Sequence, residues 1–279
     1  MRKVGIDKSG QWVGEAFGIL RAHPAPFLLM GLIYTLISQL PYLGVLITLL
    51  LGPALIGGML HAANLASANQ APRVGQMFHA FTDADRIGSY MALCLPYIGL
   101  SLIMIILLIP AYPAVIGALR GQTTGMTSPE ADIRHMLEAL RPLITSHIGA
   151  VFVWLLAYVV LAFIASMLTL LAPARIMFAR EGAFTAMRNS FIACRTNFGA
   201  YFLLVVLLFS ISLGVLILAS VLAAFMPRPL ASILAMTPFN VLVALVVFAM
   251  HRGIFGNAAG GANPAPEPAA TPGTHTFEA

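Results

Sequence analysis

Between Arg195 and Arg228 the chain carries no charged side chain. Wound as a helix, the apolar run inside that interval, about Ala200 to Met226, is long enough to cross the hydrocarbon core of a bilayer. No water is present there to satisfy backbone N–H and C=O groups, so each must bond within the segment, which commits the run to helix. The same pattern recurs along the chain. Hydrophobic residues make up 59% of the sequence and charged residues 9%, with a mean hydropathy of +0.91. A soluble domain carries about 25% charged residues. The 279 residues leave room for roughly six spans of about 20 residues with their connections. The expected fold is an all-α polytopic transmembrane bundle of about six spans, with short amphipathic interfacial helices and a disordered C-terminal tail.

The stretch Ala172 to Tyr201 links two of these spans. Phe184, Met187, Phe191, Cys194, Phe198 and Tyr201 alternate steps of three and four, the spacing of one stripe on a helix. Arg188 and Arg195 flank the stripe, and Asn189, Ser190, Thr196 and Asn197 cover the remainder. This predicts a surface helix over 182–198, with its apolar side in the interface and Arg188 and Arg195 level with anionic lipid headgroups.

Taken in order, residues 1–23 form an N-terminal cytoplasmic amphipathic segment, with Trp12 suited to the interfacial aromatic belt. Its basic start has no apolar core behind it, so no cleavable signal peptide is expected. A six-span transmembrane domain occupies 24–252. Its first part, Pro24 to Ala66, covers about 64 Å as helix, twice a bilayer core, and so folds as a hairpin turning at Pro41 to Gly44. Ala54, Gly58, Ala62 and Ala66 make a small-residue stripe that admits a close neighbour, and Pro53 and Gly57-Gly58 suggest a kink with tight packing. A second amphipathic element carries Val74, Met77, Phe78 and Phe81. Ile87 to Ile109 is one crossing, followed by an apolar shoulder at Ala111 to Leu119. The polar loop 120–146 carries a third stripe at Ile133, Met136, Leu137, Leu140 and Ile144. Spans near Ile148 to Ala172, Ala200 to Met226 and Leu230 to Met250 complete the set. Residues 253–279 are a Pro/Ala-rich tail that cannot bury a core.

Orientation follows from the basic residues. With six spans, Arg2, Lys3, Lys8, Arg21, Arg73, Arg86, Arg175, Arg180, Arg188, Arg195 and Arg252 share one side, against Arg120, Arg134, Arg141 and Arg228. The positive-inside rule puts the first set, and both termini, in the cytoplasm. Crossing twice between Ile87 and Leu119 would move few charges, but each crossing would have only about 16 residues, short for a thin bilayer. Four segments before spans, GEAFGILRAHPAPF, GQMFHAFTDADRIG, RHMLEALRPLITSHIG and TAMRNSFIACRTNFG, share a weak pattern. A surface helix feeding a span accounts for it, and a duplicated helix-plus-hairpin unit is the alternative.

The order of Gln11-Trp12-Val13, Phe17 and Pro24, the turn at Pro41 to Gly44, Gly52-Pro53, Gly57-Gly58, Ala172-Pro173, Ser190-Phe191 and Asn197-Phe198 resembles an uncharacterised family of proteobacterial integral membrane proteins with about six helices. The resemblance implies topology and a bacterial inner membrane. It implies no reaction.

No motif for chemistry is present: no phosphate loop, HExxH, paired CxxC or GxSxG. His61 and Asn64, one turn apart near the end of the second span, are the nearest to a metal or proton site, but they lack a second ligand at the right spacing. Hydrogen-bonded packing is the ordinary role for both, as for Gln39 and Asn240 in apolar runs. Cys94 and Cys194 do not make a disulfide framework and are expected as small buried hydrophobes. The +5 net charge is distributed at span ends rather than over a basic face with stacking aromatics, which excludes nucleic acid as a partner. No span carries an acidic residue at its centre, which argues against ion coupling through a buried carboxylate.

The expected function is therefore that of a non-enzymatic inner-membrane protein, without cofactor or metal, supporting an assembly or the lipid environment. A permease or channel for a small uncharged or apolar solute is the alternative, and a lipid-modifying enzyme the third. The partners expected are the lipid bilayer and its anionic headgroups, with a second copy or another membrane protein as open alternatives.

Overall fold

The computed structural model describes residues 2–108 and 148–256, and these are helical and without strands. The apolar shoulder at 111–119, the loop 120–146 with its stripe, and the tail from 257 onward lie outside the described residues. Five helical stretches are long and apolar enough to cross a membrane, or six if the bent pair at the N-terminus counts as one.

That pair is α1, Lys8–Ala22, and α2, Pro24–Ser38, which meet at 106°. The bend has a local cause. A residue before proline is pushed out of the helical region, and His23 sits at φ −137°, ψ 63°. Pro24 then starts α2 at the first helical position, where its missing N–H costs no bond. The chain turns at Pro41 and Tyr42 into α3, Leu43–Ser67, close to the bounds expected for the second span.

The small-residue stripe of α3 is buried along its length: Ala54, Gly58, Ala62 and Ala66. The 3-10 helix Val74–Phe81 lies against it, with Met77 fully buried and Phe78 turned outward. A Cβ on Gly58 would overlap the backbone of Met77, and one on Gly57 would lie 2.7 Å from the Tyr90 hydroxyl. The glycine pair is thus a contact surface.

After α4, Ala84–Met91, a single 3-10 turn leads to α5, Leu95–Leu108. Together they make one apolar stretch, Asp85–Leu107. Beyond the undescribed segment come α6, Ile148–Thr169, and a short α7, Ala172–Ala179. Next are α8, Ala183–Thr196, and α9, Phe198–Leu222. The last helix, α10, is Arg228–Phe255. It runs past the expected end at Met250 and past 252, because Ile254 is buried and the Phe255 ring stacks on His251 at 5.0 Å.

Helix α10 is the axis of the bundle. Its best apolar window is 61% buried, against 6% for α9. It packs on α1, α2, α3 and α9. The approach of α2 is close: a Cβ on Gly31 would lie 2.7 Å from the Thr237 carbonyl oxygen. Trp12, expected in the interfacial belt, is instead 3% exposed, with its indole against Gly253 of α10. The outward surface of α9 is Phe202, Phe209, Leu213, Leu216 and Ile217, each more than half exposed. A contiguous apolar surface of this kind suits lipid tails rather than water.

Candidate functional site

Two regions have features beyond packing: a cavity inside the bundle and the surface helix α8.

The cavity lies between α2, α3, α5, α6 and α10 and has a volume of about 250 Å³. Its walls are mostly aliphatic, from residues such as Leu49, Ile56 and Val247. Its polar groups are hydroxyls: Tyr34, Thr48, Tyr97, Ser166 and Thr169. Among the described residues, no charged side chain lines it. Four of these hydroxyls have committed protons. Thr48 donates to the Gly44 carbonyl at 2.6 Å, and Ser166 to Phe163 at 2.8 Å. Thr169 donates to Ala165 at 2.9 Å, which leaves Tyr97 as the donor in the 2.8 Å bond between Tyr97 and Thr169. By the same reasoning the Tyr201 hydroxyl donates to Ser166. Tyr34 differs. Its hydroxyl stands 3.3 Å from where a Cβ on Gly52 would be, and it has no hydrogen-bond partner among the described residues.

The predicted polar residues lie elsewhere. Asn240 donates its Nδ2 to Thr35 at 3.0 Å, and Thr35 passes its own proton to Gly31 at 2.8 Å. Gln39 donates to Ser232 at 2.7 Å. Both bonds tie α2 to α10. His61 stacks on His79 of the 3-10 helix, centroid to centroid 4.2 Å and 14° from parallel. Stacked rings point their nitrogens along parallel planes, so the pair does not converge on one ion. No hydrogen bond links Asn64 to His61 among the described residues, and no group there brings three potential metal ligands together.

No family model, no curated protein and no solved structure matches the chain. The motif resemblance drawn above gains no support from these comparisons, and the site rests on its own geometry.

Helix α8 differs from its predicted wheel. The face turned to the protein is Ala183, Ala186, Ser190, Ala193 and Asn197. Met187 and Cys194 are buried with it, and Phe191 is half-buried. Of the expected stripe, Phe184 at 72% exposure and Phe198 at 51% face outward, while Tyr201 at its end is fully buried. Ser190, expected on the polar side, is fully buried: it accepts from the Leu171 N–H at 3.1 Å and donates to the Met167 carbonyl at 2.8 Å. Small residues pack inward because they let α8 lie close to α6 and α7, and no hydrophobic force draws the large rings off a lipid face. Arg188 and Arg195 are exposed and unpaired among the described residues. An apolar hollow next to Arg188 is lined by Phe184, Met187, Phe191, Leu95 and Leu168.

Behind α8 sits an ionic cluster. Glu181 pairs with Arg175, and both side chains are mostly buried. Asn189 adds a 2.9 Å bond to the same carboxylate, while the Arg175 guanidinium lies 4.3 Å over the Phe255 ring. Arg252 pairs with Glu15, joining α10 to α1. The Cys194 thiol is pushed up to about 12 by burial, against a smaller opposing effect of a hydrogen bond with Ser190.

Proposed function

We propose that this protein is a six-span bacterial inner-membrane protein with both termini in the cytoplasm, and that it acts without catalysis on the lipid environment through α8. The observation that carries this reading is the outer side of α8, where Phe184 and Phe198 are exposed next to two arginines with no protein partner among the described residues. Rings at acyl depth and guanidinium groups at phosphate depth are the pairing an anionic leaflet favours. A basic residue near such a surface contributes about 1 kcal/mol, and salt screens it. The test is lipid analysis of the purified full-length protein. The doubly substituted Arg188→Glu, Arg195→Glu protein should retain a markedly smaller share of anionic lipid than the unmodified one. An unchanged share would remove the reading.

A second reading, a permease for a small uncharged or apolar solute, is favoured by the hydroxyl-lined cavity. Uptake of such a solute into proteoliposomes, abolished when the cavity is filled, would support it.

A further inference from the structure

We infer that the central cavity is a binding site for an uncharged, hydroxyl-bearing lipophile of about ten heavy atoms. The size follows from volume. A dry cavity of about 150 Å³ accepts benzene, or about 25 Å³ per heavy atom, and this cavity measures about 250 Å³. The polarity follows from the lining. An ion would have to give up its hydration to a wall with no countercharge, so the occupant is neutral. A purely aliphatic occupant would leave the Tyr34 hydroxyl without a partner inside the bundle, at a cost. A hydroxyl group answers both needs. Its oxygen accepts from Tyr34, the one lining hydroxyl whose proton is uncommitted. Its proton goes to an oxygen whose own hydrogen already points away, such as Tyr97 or Thr48.

Access is from the bilayer. Tyr97 is 40% exposed and Leu49 is half-buried, so the cavity is not sealed on the side where these two helices face lipid. Lipophilic alcohols and phenols reach that side by partitioning. The assignment concerns binding alone. Binding without uptake would leave it standing while removing the permease reading, and it does not depend on the role of α8.

The experiment compares naphthalene, 1,4-naphthoquinone and 2-naphthol as probes on the full-length protein in nanodiscs, corrected for empty discs. Mildly acidic buffer keeps the naphthol protonated. One desolvated hydrogen bond sets the scale, and 2-naphthol should bind about tenfold tighter than naphthalene. Naphthoquinone, which accepts and cannot donate, should fall between them. Tyr34→Phe should bring naphthoquinone to the naphthalene level, cut the 2-naphthol advantage to the part its donated proton supplies, and leave naphthalene unchanged, which also certifies that this variant keeps its fold. Val243→Phe, which fills the cavity, should weaken all three. The inference is overturned if no probe exceeds empty discs, if naphthol and naphthalene bind alike, if naphthoquinone binds tightest, or if Tyr34→Phe keeps the full naphthol preference.

Discussion

Gly58 of α3 lies directly against the backbone of Met77, with no room for a side chain between them. Residues that close cannot accommodate even one methyl without moving a backbone. Gly58→Ala should therefore destabilise the protein by about 3 kcal/mol, the upper part of the overpacking range. Gly75→Ala, two residues before Met77 and with nothing within 4 Å of its Cβ, is the control and should leave the unfolding temperature nearly unchanged. Thermal unfolding of both variants in one detergent decides the matter.

The Arg175–Glu181 pair should contribute through mutual need. Removing one partner leaves the other charge largely buried, which costs about 3 kcal/mol at the lower end for buried pairs. Glu181→Ala is thus expected to lower the unfolding temperature more than Glu15→Ala, whose pair with Arg252 is more exposed. Equal shifts would assign Glu181 no special place.

The Cys194 thiol, raised to about 12 from its ordinary value near 9, stays protonated at neutral pH. A group whose folded pKa is raised binds its proton more tightly in the folded state. Its stabilising contribution is complete below the unfolded value and fades as pH rises from about 9 towards 12. In a Cys94→Ala background, alkylation of Cys194 should be negligible at pH near neutral and become rapid on unfolding. The loss of stability above about pH 9 should be smaller in Cys194→Ala.

Topology is checked by cysteine labelling in intact cells. Cysteines at Ala71 and Gly182, both exposed, should react only with a membrane-permeant reagent, and one at Phe225, in the turn before α10, with an impermeant one. Reaction at position 182 from outside would sink the six-span orientation.

Much of the fold was legible because hydrocarbon simplifies the reading. The α3 and α9 helices start and stop within a few residues of where continuous apolarity begins and ends. Pairing was harder. The stripe at Ala54 and Gly58 announced a close neighbour, yet nothing local said that the 3-10 helix twenty residues on is what lies against Gly58. On α8 the helical wheel sorted by hydrophobicity, whereas the helix packs by size, so Ala186 and Ser190 turn in while Phe184 turns out. The cavity was invisible. Tyr34, Thr48, Tyr97 and Thr169 come from four helices with no spacing in common, and only tertiary structure collects them.

Residues 2–9 are held by groups far along the sequence, in α10 and around the start of α9. The Arg2 N–H bonds the Ile254 carbonyl at 2.8 Å, Val4 donates to Asn197 at 2.8 Å, and Ser9 reaches the Ala200 carbonyl at 2.7 Å. During synthesis residues 2–9 therefore wait for α9 and α10 before their polar groups are satisfied. Contacts that far apart in sequence form late. Until α10 is made, the Arg2 N–H lacks its acceptor, Glu15 lacks Arg252 and the Trp12 indole lacks the Gly253 backbone that covers it.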